Sequence, residues 1–556
     1  MAPQQPPARY SYVETSAGPK ILPVEEPSCK DEESPADYNA GGYLPIKLSD
    51  TFKNNRYKVI RKLGWGHFST VWLVKDTHLH RHSALKVVKS AGRYAETARD
   101  EIKLLSRVAS FSPAHAGRQH IVSFLDSFSH QGPEASHICI VFEPLGENLL
   151  ALIERNKKHG VPRALVKVIA KQTLLGLQYL HDECDLVHTD IKPENILISI
   201  PDIEAHISTE LSQSPSPTCR RVGVPLPSNI RSGFAIRNQR STRRSVQIFD
   251  SQPLSSPSRS AGVHGLSMSF GALNSCQGGS GSGINSANGS FVGPSLLAQR
   301  DGEGQDIIHG VPAAGCVKGA NAVDSPLSSW KDKLGMYAGP WKEKASFSLS
   351  SSFKSSTSTP QPMDIPSVHP SDASPLPPPL SIKIADLGNA TPSKKHYTED
   401  IQTRQYRAPE AILGRKDWDV TADIWSVACV VFELLTAEYL FDPQGQGELF
   451  TKDDDHMAQI IELLGDFPLE AKMGGKYSRE LFDHTGALRY IRSLKTWPLK
   501  RVMMEKYLYT ERDATLLCDF LEPMLVVDMK QRSHARDMID HRWLDVVEGD
   551  EAAGSW

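Results

Sequence analysis

The side chains best suited to chemistry lie in one short motif, His-Thr-Asp-Ile-Lys-Pro-Glu-Asn, at residues 188–195. Asp190 and Asn195 have the spacing of the signature His-Arg-Asp-Leu-x-x-x-Asn, in which the aspartate accepts a hydroxyl proton and the asparagine holds magnesium. Lys192 follows two residues after the aspartate and can neutralise a phosphoryl group as it moves. The motif therefore predicts phosphoryl transfer, with Asp190 as the base.

A second metal ligand is predicted in the second half of the chain. The motif Ile-Lys-Ile-Ala-Asp-Leu-Gly at residues 382–388 matches the magnesium-binding Asp-Phe-Gly element, with leucine in place of phenylalanine. We predict that Asp386 and Asn195 coordinate Mg²⁺ that bridges the phosphates of ATP. Because phosphoryl transfer depends mainly on positioning and charge neutralisation, two such ligands, a lysine and a base are sufficient.

A glycine-rich hairpin is predicted at residues 63–71, between two strand-like runs. Glycines at such a turn let backbone amides approach phosphate groups without obstruction by side chains. We assign Leu63, Gly64, Gly66 and Val71 to the ATP site. Taken alone, an ordinary β-turn would explain this pattern better, and only the motifs that follow favour a nucleotide loop.

Lys86 lies inside the apolar run Ala-Leu-Lys-Val-Val that begins at Ala84, and both residues are assigned to the ATP site. The lysine is expected to grip the α- and β-phosphates and to be held by a glutamate of the following helix. Glu101 is that glutamate in our prediction, and Asp100 is the neighbouring alternative. An isolated lysine of this kind is more often a solvent-facing residue of an edge strand.

The run His-Ile-Cys-Ile-Val-Phe-Glu-Pro-Leu-Gly at residues 137–146 is an apolar strand that ends in a Pro/Gly-containing connection. It suits a hinge between two lobes. Backbone groups of Glu143 and Leu145 would bond the adenine edge, and Phe142 would close the pocket behind it. A buried strand followed by a turn is the alternative interpretation of this segment.

Composition divides the chain into a flexible leader (1–52) that becomes ordered near its end, two globular zones (53–199 and 381–545), a spacer (200–380) and a tail (546–556). The spacer is rich in Ser, Pro and Gly and offers too little apolar surface to offset the entropy of ordering it, so we expect it to be disordered. Loop-closure entropy grows slowly with length, so one fold can carry such an insertion.

Charge and composition also exclude several partners. A net charge of −3 over 556 residues argues against general nucleic-acid affinity, and there is no run of 18 apolar residues. The eight cysteines are scattered, as in an intracellular protein with reduced thiols. We therefore expect no direct nucleic-acid or membrane partner. We also expect the protein to be a monomer.

Three further residues complete the set of motifs. Glu410 ends an Ala-Pro-Glu element, Arg532 is placed to pair with it, and Asp423 would brace the catalytic loop from a buried helix. Because seven motifs occur in the correct order, the chain is identified as a member of the protein kinases. The fold class implied is α+β and bilobal: a small β-rich N-lobe and a large helical C-lobe, split by the insertion.

Five segments closely resemble the SR-protein kinases. They are residues 61–72, 188–190, 385–390, 398–407 and 455–465. The resemblance covers both globular zones, and members of that family carry a long spacer at the same point. It implies an ATP- and Mg²⁺-dependent enzyme that phosphorylates serines in Arg-Ser repeats of splicing factors and is found in the cytoplasm and the nucleus.

The resemblance also implies a docking groove formed by Glu438, Asp455, Glu462 and Lys495. Independently, an arginine-rich peptide requires carboxylates, since guanidinium pairs bidentately with them. The acids between 453 and 466 supply such groups. The alternative is that these acids form the solvent-exposed start of a helix, because aspartates favour helix N-termini.

Thr189 occupies the place where many kinases have an arginine that binds a phosphate on the activation loop. Threonine cannot form that ion pair, so we predict activity without activation-loop phosphorylation. Two alternatives remain: a LAMMER-type dual-specificity kinase, whose signature is absent here, and a pseudokinase scaffold that binds Arg-rich proteins. Intact Lys86, Asp190, Asn195 and Asp386 weigh against the scaffold.

Overall fold

The computed structural model describes residues 10–15, 18–23, 32–214, 217–224, 244–255, 380–447, 449–547 and 550. Its strands are β1 (Tyr10–Thr15), β2 (Gly18–Pro23), β3 (Thr51–Phe52), β4 (Tyr57–Gly66), β5 (Ser69–Asp76), β6 (Arg81–Val88), β7 (Phe124–Gln131), β8 (Ser136–Phe142), β9 (Leu186–Val187), β10 (Ile196–Ser199), β11 (Cys219–Val224), β12 (Arg244–Phe249), β13 (Ser381–Ile384) and β14 (Thr391–Pro392). Its α-helices are α1 (Gly92–Ser110), α2 (Leu149–Arg155), α3 (Arg163–Gln178), α4 (Ile203–Gln213), α5 (Pro409–Ile412), α6 (Thr421–Thr436), α7 (Lys452–Leu464), α8 (Leu469–Lys472), α9 (Ser478–Leu481), α10 (Leu499–Glu505), α11 (Glu511–Leu521) and α12 (Ala535–Met538).

The N-lobe is an antiparallel sheet in the order β3-β4-β5-β6-β8-β7, with helix α1 packed on it. Side chains alternate between the two faces of a strand. In β6, Leu85 and Val87 therefore enter one apolar cluster, while Lys86 projects from the opposite face. The buried residues of α1 include Ala98, Glu101 and Leu105, which lie on one side of the helix. Glu101 is thus carried on the side of the helix that packs inward.

The C-lobe is built around helix α6, nearly all of whose residues are buried. A mostly apolar helix that is buried on all sides belongs in a core, and α3 packs against it. Strand β10 pairs with β13, so Ile196 lies opposite Ile384 across an antiparallel ladder. Strand β9 pairs with β14 in the same way. These two ladders bring the catalytic loop beside the segment that follows the spacer, and the predicted bilobal α+β kinase fold is confirmed.

None of the helices in the described ranges combines the length and the hydropathy that crossing a bilayer requires.

The prediction of a structureless spacer is wrong for its first part. Helix α4 and the hairpin of β11 and β12 lie inside residues 200–255, and Ile207 of α4 packs with Leu73 and Leu254. The average composition of the spacer does not reveal this order, because α4 needs only a few apolar residues on one stripe. The stripe includes Ile203, Ile207 and Leu211. Residues 256–379, to which the disorder prediction also applies, lie outside the described residues.

The leader also contains more structure than its composition indicates. Strands β1 and β2 pair as an antiparallel hairpin. Further along, Tyr38 and Tyr43 pack with Val246 and Ile248 of β12. Buried Lys62 of β4 forms ion pairs with two consecutive glutamates of the leader and donates to the Phe249 carbonyl at 3.1 Å. These contacts join sequence-distant segments, so local patterning could not predict them.

Candidate active site

Lys86, Glu101 and Asp386 meet between the two lobes. The Lys86 Nζ lies 2.8 Å and 3.0 Å from the two carboxylate oxygens of Glu101, and 3.4 Å from Asp386 Oδ1. Burial opposes the lysine charge, but the two carboxylates outweigh it and raise the pKa of Lys86. In turn, the attraction of Lys86 lowers the pKa of Asp386. The structure therefore brings the predicted lysine, glutamate and metal ligand together, with Glu101 and not Asp100 as the lysine's partner.

The catalytic loop brings Asp190, Lys192 and Asn195 together, with Thr403 as a fourth member. Lys192 Nζ lies 2.8 Å from Asp190 Oδ2, and the Asn195 amide donates to the Asp190 carbonyl at 2.8 Å. The Thr403 hydroxyl donates to Asp190 Oδ1 at 2.8 Å and accepts from Lys192 at 3.0 Å. The motifs of the sequence predict no role for Thr403. Its only sequence signal is its place seven residues before Glu410.

A buried aspartate holds the backbone of this loop. Asp423 of α6 is fully buried and accepts from the backbone N–H groups of His188 and Thr189 at 2.7 Å and 2.9 Å. His181 contacts the same carboxylate at 2.9 Å. Two charge-assisted bonds from consecutive amides fix the loop more firmly than neutral bonds would. This geometry agrees with the bracing role predicted for Asp423.

Thr189 connects the catalytic loop to both ends of the activation segment through neutral hydrogen bonds. It is buried and has a φ of 67°, and its hydroxyl donates to the Asn389 carbonyl at 2.9 Å. Its own carbonyl accepts from the Gln402 N–H at 2.9 Å. The Gln402 side chain then bonds the Ala422 carbonyl at 2.8 Å and the Ala408 N–H at 2.9 Å. These contacts require no phosphate.

The Ala-Pro-Glu element is anchored by a buried ion pair. The two guanidinium nitrogens of Arg532 lie 2.7 Å and 2.8 Å from the Glu410 carboxylate oxygens, in a bidentate arrangement. Both side chains are almost completely buried. Removing one partner of such a pair leaves an uncompensated buried charge, which typically costs about 3–5 kcal/mol. The predicted pairing of these two residues is therefore present in the fold.

The glycine-rich hairpin spans the end of β4 and the start of β5, where Gly66 pairs with Ser69 across a two-residue turn. A Cβ added at Gly64 or Gly66 would meet nothing within 4 Å, so the loop's backbone is unobstructed at these two positions. Val71 lies opposite Gly64 on one side and Lys86 on the other. Leu63 packs against the cluster that includes Ile207 of α4, a contact that sequence analysis did not predict.

The predicted hinge follows β8. Phe142 is half-buried and pairs with Ala84 across the sheet, and Leu145 is buried. The Glu143 N–H donates to the Ser123 carbonyl at 3.2 Å, which makes the Glu143 carbonyl the group suited to an adenine amino group. The Glu143 side chain forms an ion pair with Lys383 at 2.7 Å. That pair joins the hinge to β13, and sequence analysis missed it.

The docking residues fall into two places. Helix α7 carries Asp455, whose Oδ2 accepts from the Gln444 N–H and the Gln459 amide, both at 2.8 Å. About two turns later, Glu462 Oε1 accepts from the Lys495 N–H at 2.8 Å. Glu438 instead contacts Lys506 at 2.5 Å and Tyr507 at 2.9 Å.

Asp455 and Glu462 share an electrostatic property. Burial raises the pKa of both carboxylates above the usual range, and Asp455 raises the pKa of Glu462 further. The helix-start alternative accounts for Asp454, which forms a capping box with Thr451. Asp455 also lies in the first turn, but its carboxylate bonds Gln444 and Gln459, and Glu462 lies near the other end of the helix.

These residues fit ATP with a divalent metal. The lysine, the open glycine-rich backbone and the hinge carbonyl suit phosphates and a base edge, while Asp386 and Asn195 offer the oxygen ligands that Mg²⁺ prefers. Asp386 remains about half exposed, and its pKa is lowered, so it is an anion able to accept a metal.

Comparisons with known proteins agree with this geometry. A family model described as "Protein kinase domain" matches residues 57–208 and 376–544. A solved crystal structure of a kinase domain covers 90% of this chain and 99% of its own, at 19% identity and a TM-score of 0.50, which supports the fold.

Three curated relatives are similar over most of the chain. Protein kinase dsk1 of Schizosaccharomyces pombe is 40% identical over 93% of this chain and 85% of its own length. SRSF protein kinase 3 of Homo sapiens is 40% identical over 93% and 91%, and serine/threonine-protein kinase SKY1 of Saccharomyces cerevisiae is 38% identical over 93% and 78%. The chain therefore belongs to the SR-protein kinase family of protein kinases.

Proposed function

We propose that this enzyme transfers the γ-phosphoryl group of ATP, with Mg²⁺, to serines in Arg-Ser-rich proteins and so regulates mRNA splicing. One arrangement of side chains carries the proposal. At the lobe interface, the base Asp190 lies beside Lys192, and the metal ligand Asp386 lies beside Lys86. The buried carboxylate of Asp455 lies on the C-lobe as well. The name of one relative, SRSF protein kinase 3, supports the substrate class.

The catalytic step follows from the contacts of Asp190. Its carboxylate is held by Lys192 and Thr403, so it can orient a serine hydroxyl and accept its proton while the oxygen attacks phosphorus. Lys192 is then positioned to offset negative charge on the transferred group. Magnesium, when bound, would neutralise phosphate charge, and Asp386 and Asn195 would hold it. Lys86, fixed by Glu101, would orient the α- and β-phosphates.

The docking groove supplies the substrate preference in this proposal. Asp455 and Glu462 are anchored by an amide side chain and backbone N–H groups and not by lysine or arginine side chains. Their charge is therefore available to guanidinium groups, which bind carboxylates in bidentate fashion. Glu438, held by Lys506 and Tyr507, would add a further acid, and Lys495 would border the groove.

The Thr189 network supports activity without activation-loop phosphorylation. Its neutral bonds to Asn389 and Gln402 hold the segment in place of an arginine–phosphate pair. A bacterially produced, phosphatase-treated enzyme is expected to phosphorylate an Arg-Ser peptide at once. A preparation that stays inert until an upstream kinase acts would contradict this part of the proposal.

The remaining expectations are a monomer that acts in the cytoplasm and the nucleus, with no direct nucleic-acid partner and no membrane partner. A LAMMER-type enzyme and a pseudokinase scaffold are less well supported, because the relatives are SR-protein kinases and the lysine, base and metal ligand all meet.

The proposal is tested by incubating the purified enzyme with ATP, Mg²⁺ and an Arg-Ser repeat peptide, beside a Lys-Ser peptide of equal length and charge. We expect rapid phosphorylation of the first peptide and slow phosphorylation of the second. Equal rates would contradict the assigned substrate class, and no transfer to either would contradict the enzymatic assignment.

A further inference from the structure

A cavity of about 460 Å³ opens on the C-lobe beside the docking groove. We call it the distal cavity. Three parts of the chain line it. They are residues 463–468, at and just after the end of α7; Thr496 and Pro498; and residues 522, 525–528 and 531. It is separate from the residues assigned to ATP, to magnesium and to the base.

The distal cavity is continuous with the docking groove along the chain and in space. Leu463, which lines it, directly follows Glu462, and Thr496 directly follows Lys495. The two segments are bonded to each other, because the Lys495 N–H donates to Glu462 Oε1 and the Trp497 N–H donates to the Glu462 carbonyl at 2.8 Å. A peptide that leaves the groove past Glu462 therefore meets the cavity next.

The charge of the distal cavity is of one sign. Among the described residues, those that line it include Asp466, Glu522 and Asp528, and none is a lysine, arginine or histidine. Asp466 forms an ion pair with Lys472 at 2.5 Å, and Asp528 accepts from the Gln531 amide at 3.1 Å. Glu522 differs from both acids, since within the described ranges no cation or hydrogen-bond donor pairs with its carboxylate.

Glu522 lines the cavity with an exposed side chain and has no protein counter-ion among the described residues. Burial, followed by the nearby Asp519 carboxylate, raises its pKa. The adjoining wall is apolar, with half-buried Leu463, Leu464 and Val526. An arginine combines an aliphatic stem, which such a wall can cover, with a guanidinium that suits a carboxylate.

We propose that the distal cavity is a second substrate subsite, which takes an arginine side chain of an Arg-rich protein after the chain has passed Glu462. The stem lies on Leu463 and Val526, and the guanidinium pairs with Glu522. This inference rests on the proposed function, since it extends the Arg-Ser docking groove. It predicts that affinity increases with substrate length beyond what the groove alone can hold.

Glu522→Gln tests the charge. Peptide dissociation constants are measured by fluorescence anisotropy for a long Arg-Ser peptide and for a short one that spans only the groove. We expect the variant to bind the long peptide about fivefold more weakly, which is the effect of losing one partly exposed ion pair. The dissociation constant of the short peptide should not change. Glu480→Gln, which also removes an exposed carboxylate but lies outside the cavity, is the matched control and is expected to change neither.

Thr496→Trp tests the space, because this exposed residue lines the cavity and a larger side chain would fill it. It is expected to give the same length-dependent loss without a change of charge. Unchanged binding of the long peptide in both variants, or an equal loss for both lengths, would overturn the proposal. If the wild-type enzyme binds neither peptide, the proposed function itself fails, a result that is distinct from failure of the cavity alone.

Discussion

The active-site cleft and the docking groove both depend on carboxylates, but the fold supports them in opposite ways. In the cleft, Asp386 and Asp190 each lie beside a lysine, and attraction lowers the pKa of Asp386. In the groove, Asp455 and Glu462 are held by amides, and burial raises their pKa. The cleft thus compensates its charges internally and fixes their positions. The groove leaves its charges for an incoming cation.

The largest effect is expected where the cleft supplies its base. Asp190→Asn should lower kcat by about 10²–10⁴-fold, because the serine proton loses its acceptor while the loop keeps its shape. Binding of the Arg-Ser peptide should remain near wild type, since the groove is untouched. Steady-state phosphorylation and peptide anisotropy measure the two quantities. Asp540→Asn, an exposed C-lobe acid, is the control, and retained transfer by Asp190→Asn would contradict the assignment of the base.

The second effect concerns the charge network of the cleft. Lys86→Met should lower kcat/KM for ATP by about 10²–10³-fold, since Glu101 and Asp386 lose the cation between them. Peptide affinity should again be unchanged. The exposed Lys103→Met is the matched control. If Lys86→Met weakened peptide binding as strongly as it weakened ATP use, the two regions would not be independent.

A smaller effect is expected between the two regions, in the activation segment. Gln402→Ala removes side-chain bonds to Ala408, Ala422 and Ser426, each of which contributes about 1 kcal/mol. We expect the melting temperature to fall and kcat to drop by about tenfold. Differential scanning calorimetry and peptide phosphorylation test this. Wild-type activity in a correctly folded variant would show that these bonds do not hold the segment.

The smallest effect is a dependence of peptide binding on pH. Because burial raises the pKa of Asp455 and Glu462, these groups take up protons at a higher pH than ordinary carboxylates when the solution is acidified. Protonation removes the negative charge of these two carboxylates, so the Arg-Ser peptide should bind more weakly as the pH is lowered. Glu462→Gln, which lacks one titrating group, should show a weaker pH dependence in the same anisotropy titration. Identical profiles for the two proteins would contradict this explanation.

The sequence predicted the cleft better than the parts that support it. Asp190, Lys192 and Asn195 lie within six consecutive residues, so local spacing specifies their chemistry. The pair of Lys86 with Glu101 was also predicted, because a strand and the next helix place them. Thr403 was missed, since its bond to Asp190 joins residues 213 positions apart.

The ordered part of the spacer was missed for another physical reason. The apolar stripe of α4 consists of only a few residues in a polar region, so composition averaged over 200–380 predicts disorder. Its stability comes from packing on Leu73 and from ion pairs such as that of Arg61 with Glu210. Such tertiary contacts are not encoded in local periodicity.

The most direct test of the account is the arginine preference itself. The ratio of kcat/KM for an Arg-Ser peptide to that for a matched Lys-Ser peptide is measured in the wild type and in the double variant Asp455→Asn, Glu462→Gln. We predict a high ratio in the wild type and a clear fall in the variant, through KM and with kcat retained. A ratio that the double variant leaves unchanged would contradict the claim that the groove's uncompensated carboxylates select the substrate.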